Sequence, residues 1–112
     1  SHSVVTQGSI IEGSVENSVV AHSVTVGEGA SVRYSVVMPN VVIGPGAVVE
    51  YAILGEGAHV GAHAKVGAPP ETAEDPEKWG IAVIGPFCEI AAEETVAPNQ
   101  MLDRDHKEVA RK

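Results

Sequence analysis

Val26-Gly-Glu-Gly-Ala30, Ile43-Gly-Pro-Gly-Ala47 and Val60-Gly-Ala-His-Ala64 repeat one pattern, and the step from 26 to 43 and from 43 to 60 is 17 residues. A second series interleaves with the first. Val15-Glu-Asn-Ser-Val-Val20, Val32-Arg-Tyr-Ser-Val-Val37 and Val49-Glu-Tyr-Ala-Ile-Leu54 are also spaced by 17. Within a period, aliphatic residues recur every six positions, as from Val26 to Val32 and from Ile84 to Ile90 to Val96. Seventeen is therefore three six-residue segments with one residue trimmed at a corner. The glycines that recur in every 17-residue period exclude a helical repeat, because each glycine costs a helix roughly 1 kcal/mol. A coil of three short strands fits instead. Stacked coils hydrogen-bond at roughly 4.8 Å, so equivalent residues of successive coils form ladders. The expected inward ladder residues are Val15, Val26, Val32, Ile43, Val49, Val60, Val66, Ile84 and Ile90. A β-sandwich is the competing all-β reading, but sandwich turns do not recur at one fixed interval.

The composition agrees with this reading. Of 112 residues, 19 are valine and two are leucine, and aromatics make up 4%, which suits a narrow column of β-branched side chains with no room for large rings. The length allows one domain. Fifteen acidic residues against seven Lys and Arg give a net charge of -8, which disfavours nucleic acid and anionic membranes as partners. The longest uncharged stretches, such as that from Val36 to Val49, are broken by prolines and glycines and are too short to cross a bilayer, so a soluble chain is expected. One cysteine, Cys88, excludes an internal disulfide and fits a reducing compartment, the cytoplasm. The chain opens on Ser1 rather than methionine, which reads as an excised piece of a longer protein.

Residues 1–97 are read as the repeat domain, with an excursion loop at 67–80 where Pro69-Pro70, the acidic cluster Glu71, Glu74, Asp75 and Glu77, and the single tryptophan Trp79 break the pattern. Residues 98–112 read as a polar tail, either a short helix or disordered, with Glu108 and Lys112 spaced for a helical pair. Both ends of such a column expose unpaired backbone, so the isolated chain is expected to associate.

The six-residue units resemble hexapeptide repeats, which form left-handed parallel β-helices. The hand comes from that resemblance, since periodicity is silent about it. Such helices serve acyltransferases, gamma-type carbonic anhydrases and sugar-nucleotide pyrophosphorylases, and only residues separate these. A zinc anhydrase needs three converging imidazoles. His59 and His63 are four apart rather than the five of the gamma-type enzymes, with His22 as a distant third, so solvated corner histidines are the preferred reading and no metal site is expected. An acyltransferase needs a base over a coenzyme A cleft. His22, His59 and His63 are the available bases, but the one long loop contains no histidine. Cys88 falls in the small-residue place that Ala30, Ala47 and Ala64 take in their segments, so it reads as a packed thiol rather than a nucleophile. The Gly-x-Gly units lack the lysine and the strand-to-helix context of a phosphate loop and read as corners.

The order of segments is more specific than any one of them. Ser3-Val-Val-Thr-Gln-Gly-Ser-Ile-Ile-Glu-Gly-Ser-Val-Glu-Asn-Ser-Val19, then Val24-Thr-Val-Gly-Glu-Gly-Ala30 and Tyr34-Ser-Val-Val-Met38, is similar to the start of the β-helix domain of bacterial ADP-glucose pyrophosphorylases, also called glucose-1-phosphate adenylyltransferases. Trp79-Gly-Ile-Ala-Val-Ile-Gly85 resembles that family's last coils. The resemblance implies a parent that makes ADP-glucose and pyrophosphate from ATP, with Mg2+, and glucose 1-phosphate for glycogen synthesis. It implies an N-terminal catalytic domain of the same chain as partner, and a homo-oligomer, a tetramer, or a hetero-oligomer with a paralogous subunit. The family's arginine-containing nucleotide loop has no match here, so no catalytic residue and no cofactor falls to this chain. A regulatory and oligomerisation role remains, with a sugar-phosphate effector. Anionic effectors need cations, and Arg33 and Lys65 are the only Lys or Arg within the repeats, so they are the candidate effector-binding residues. A pyrophosphorylase for another sugar, such as mannose 1-phosphate, and a free-standing hexapeptide acyltransferase using an acyl-CoA donor are the alternatives.

Overall fold

A computed structural model describes residues 4–5, 8–72, 77 and 79–106. Two- and three-residue strands alternate with turns, and all strand pairing among these residues is parallel. The first sheet contains β1 (Val4–Val5), β4 (Val19–Val20), β7 (Val36–Val37), β10 (Ala52–Leu54), β13 (Ala82–Ile84) and β16 (Met101–Leu102), in that order. The second contains β2 (Ile10–Ile11), β5 (Thr25–Val26), β8 (Val42–Ile43), β11 (His59–Val60) and β14 (Glu89–Ile90). The third contains β3 (Ser14–Glu16), β6 (Ser31–Arg33), β9 (Val48–Glu50), β12 (Lys65–Val66) and β15 (Thr95–Val96). Each coil contributes one strand to each sheet, so the chain is an all-β solenoid of about five turns with three strands per coil.

Register places like on like. Val26, Ile43, Val60 and Ile90 are aligned across the second sheet, and Val32, Val49, Val66 and Val96 across the third. Val20, Val37, Leu54, Ile84 and Leu102 form the ladder of the first sheet. All of these are buried and together make the core. Val15 and Ile11 in the first coil are only partly buried, because a terminal rung has a neighbour on one side alone. Small residues line the corners inside: Ala30, Ala47 and Ala64 on one, Ser18, Ser35, Ala52 and Ala82 on another. The two buried serines are satisfied by the backbone. Ser18 Oγ donates to the Glu16 carbonyl at 2.8 Å and accepts the Ser35 N–H at 3.0 Å, and Ser35 Oγ does the same with Arg33 and Ala52 at 2.8 and 3.2 Å.

The trimmed residue sits at one corner. Inward residues are six apart from Val20 to Val26 to Val32, but five apart from Val32 to Val37 and from Val49 to Leu54. That tight turn from the third sheet to the first is closed by a single residue in the left-handed region: Asn17 at φ 49, Tyr34 at 52 and Tyr51 at 51. At the same corner of the next coil the chain leaves for its excursion. Gly67 exits at φ 76, where an added Cβ would collide with the Glu50 carbonyl oxygen. A 3-10 turn follows at Pro70–Thr72, and the chain returns at Trp79. Glu74, Asp75 and Lys78 of this loop, and Glu108 and Lys112 of the tail, lie outside the described residues.

The repeat runs past the boundary expected at 97. Ile84, Ile90, Val96 and Leu102 are each six apart, Met101–Leu102 pairs with Val83 and Ile84, and Leu102 is buried. The next turn folds against this last coil, with the Arg104 guanidinium 5.5 Å from the Phe87 ring and His106 Nε2 paired with Glu94 Oε2. This segment is part of the solenoid, because the six-residue spacing supplies one more inward side chain than the polar surroundings indicate.

Candidate effector site

Arg33 and Lys65 both lie on the outer face of the third sheet, where their neighbours point inward. Strands β3, β6 and β9 are three residues long, which adds an outward column Glu16, Arg33, Glu50 in register. The Arg33 Nη2 donates to Glu50 Oε1 at 2.8 Å, with the Glu50 side chain largely covered and Arg33 44% exposed. One cation therefore stands between two carboxylates. An incoming anion competes with Glu50 for this guanidinium, so the column holds the arginine in place and also limits its affinity. Lys65 belongs to a different column, aligned with Val48 and Thr95, and is exposed. It is two rungs from Arg33, about 10 Å along the axis, and two residues further back along the strand. The two cations share a face but do not converge on one point.

Beside Arg33 the tight corner builds an aromatic stack. Tyr34 and Tyr51 rings lie 4.9 Å apart at 15°, the rung spacing of the solenoid itself, and Trp79 meets Tyr51 edge-on at 5.5 Å and 80°. The Trp79 indole N–H donates to the Ala68 carbonyl at 2.9 Å, so the two ends of the excursion loop are tied to each other and to the stack. Desolvation, then the nearby Glu71 carboxylate, pushes the Tyr51 phenol above its ordinary value. Tyr34, half exposed, ends the stack. The tyrosine pair carries the same 17-residue signature as the ladders, in Val32-Arg-Tyr and Val49-Glu-Tyr. Sequence reasoning passed over it because no periodic signal brings Trp79 to that corner.

The remaining candidates are separate. His59 projects from β11, in register with Val42 and Glu89, while His63 sits at the next corner at φ 58 with its ring over Gly46. His22 lies on another turn, its Nδ1 3.3 Å from Ser23 Oγ. No group of three His, Cys, Asp or Glu is placed to hold a metal among the described residues. Cys88 is fully buried at the corner shared with Val24, Val41 and Ala58, and burial pushes its thiol up. A thiol so protonated and enclosed is a packing group.

Comparison with known proteins agrees with this architecture. A family model for the GlmU-like C-terminal hexapeptide matches residues 1–82. Glucose-1-phosphate adenylyltransferases of two Desulfitobacterium hafniense strains, DCB-2 and Y51, are each 34% identical over 104 residues, 93% of this chain and 26% of theirs. The chain thus spans about a quarter of the length of the curated relatives it matches. Among solved structures, the acetyltransferase domain of PglB from Neisseria gonorrhoeae, in complex with acetyl coenzyme A, superposes with a TM-score of 0.57 at 19% identity, covering 96% of this chain and 54% of that one. At that identity the likeness is one of fold. With its three-stranded coils, its 17-residue ladders and the family match over most of its length, the chain belongs to the GlmU-like C-terminal hexapeptide family.

Proposed function

We propose that this chain is the regulatory and assembly segment of a glucose-1-phosphate adenylyltransferase, acting in the cytoplasm on the route to glycogen. The 34% identity to two such enzymes over 93% of the chain carries the reading. In the parent, ATP with Mg2+ and glucose 1-phosphate give ADP-glucose and pyrophosphate in a catalytic domain outside this segment. No reacting group is assigned to the segment: among the described residues the histidines are dispersed and the one thiol is buried. Its contribution is an anion-responsive face, where a sugar phosphate takes the Arg33 guanidinium from Glu50 and reaches toward Lys65. Acyl transfer is the alternative, and a likeness of fold is what supports it.

The effector role is tested in the parent by its response to fructose 1,6-bisphosphate. Arg33→Ala removes the response while basal turnover stays. Glu50→Gln, which frees the guanidinium, lowers the effector concentration needed by about threefold to tenfold, the scale of one charge-assisted bond of about 1 kcal/mol. An unchanged response in both variants rejects Arg33 as an effector residue. Incubated alone with acetyl coenzyme A and amino sugars, the 112-residue chain is expected to release no free coenzyme A; release would favour the acyltransferase.

A further inference from the structure

We propose that the tight corner shared by Asn17, Tyr34 and Tyr51 is a binding site for a neutral saccharide, with one glucose ring lying flat on the free face of Tyr34, level with Asn17. The three residues hold equivalent positions in successive coils, each following the in-register series Glu16, Arg33 and Glu50. Each closes its corner with a left-handed backbone, at φ 49, 52 and 51. The Tyr34 N–H donates to the Glu16 carbonyl and the Tyr51 N–H to the Arg33 carbonyl, both at 3.1 Å. Asparagine takes this conformation readily, whereas a bulky aromatic residue in it is an outlier. The chain accepts the outlier in two consecutive coils, and the product is a pair of stacked rings 4.9 Å apart at 15°.

Tyr51 covers one face of the Tyr34 ring, and Trp79 meets Tyr51 edge-on at 5.5 Å, so the platform is set before any ligand arrives. The other face of Tyr34 looks along the axis to the rung of Asn17, whose side chain is too short to continue the stack. Tyr34 is accordingly 51% exposed. Among the described residues the Asn17 amide has no hydrogen-bond partner. The open rung thus offers an aromatic face above and an unused donor and acceptor at its inner edge. That combination fits a pyranose. An aromatic face is negative and attracts weakly positive C–H hydrogens. Glucose, with its ring hydroxyls equatorial, presents C–H groups on both faces and hydroxyls around its rim, where they meet the amide. Glu16, exposed and adjacent in sequence, adds an acceptor for a rim hydroxyl. An anion at this rung would instead meet the Glu16 carboxylate, and the cation in register with it, Arg33, already pairs with Glu50. The site goes beyond the effector reading and needs neither its anion nor the chemistry of the parent.

Titration of the isotope-labelled 112-residue chain with maltotriose, followed through its amide NMR signals, tests the site. The expected result is saturable shifts centred on Asn17 and Tyr34, with a dissociation constant on the order of 1 mM, the scale of one stacked ring and a few hydrogen bonds. Tyr34→Ala weakens binding by about tenfold or more, and Tyr34→Phe by less than about threefold, because the ring rather than its hydroxyl makes the platform. Asn17→Tyr fills the open rung with a side chain that the next two coils already hold at this corner, so it removes binding while the ladder amides keep their positions. This variant decides the matter if Tyr34→Ala does not fold. Absence of shifts at about 20 mM maltotriose, well above that constant, overturns the proposal. So do shifts that survive Asn17→Tyr, or tighter binding of adenosine at the same amides. A parent that transfers no adenylyl group would leave the result standing.

Discussion

Ile43 and Val42 are neighbours on β8, yet their fates differ: one is buried in the column and the other faces solvent. Ile43→Asp places an unpaired charge where no partner is within reach, a cost of the order of the whole folding free energy, and should abolish the folded β spectrum. Val42→Asp should fold and lose less than about 1 kcal/mol. Equal behaviour of the two would mean that the register is wrong. Gly67→Ala meets a different obstacle, since its backbone is left-handed and the new Cβ strikes the Glu50 carbonyl. It should destabilise by more than about 1 kcal/mol, seen in chemical denaturation. Cys88 supplies a pH dependence. Its thiol ionises near the ordinary 9.0 in the unfolded chain but only at higher pH when folded, so the stability it contributes is present below pH 9 and falls as pH rises beyond it. Replacement by alanine, which Ala58 already shows to fit that corner, should flatten this fall, with the raised Tyr51 phenol accounting for the remainder. Thiol reagents should label Cys88 only as fast as the protein unfolds; rapid labelling of the native chain would contradict its burial.

Among the elements, the excursion loop is tied at its return by Trp79. Trp79→Ala removes the edge-on contact with Tyr51 and the hydrogen bond to Ala68, together about 1–2 kcal/mol. The effect should appear first as faster proteolysis between 68 and 79, with the solenoid's melting little changed; unchanged proteolysis would mean that the loop is held elsewhere. The elements also show what the sequence made legible. The second and third ladders follow directly from the two 17-residue series, because Val26, Ile43 and Val60 each precede a glycine and Val15, Val32 and Val49 each precede a charged residue. The first ladder was less legible. Its strands are pairs such as Val19-Val20, Val36-Val37 and Ile53-Leu54, and two adjacent apolar residues do not declare which points inward. The outward member of each pair is what makes that face apolar. The sixth strand was hidden in another way: Leu102 keeps the six-residue step from Val96, but Pro98 and Asn99 read as an ending when they form one more corner. At the candidate site, Glu50 stands 17 residues from Arg33 and its pairing could be read from the period, whereas the approach of Trp79 depends on a loop that has no period.

At the scale of the whole molecule, the solenoid is a rigid column that assigns a different chemistry to each of its three faces. The charged third face carries the candidate effector cations, and the ladders behind it form one close-packed core. The central claim, that the segment serves an adenylyltransferase, is tested most directly by pyrophosphate release from the parent given ATP, Mg2+ and glucose 1-phosphate, with and without fructose 1,6-bisphosphate. The account predicts release that requires glucose 1-phosphate and changes with the bisphosphate. Release supported equally by mannose 1-phosphate, or none with either sugar phosphate, would contradict it.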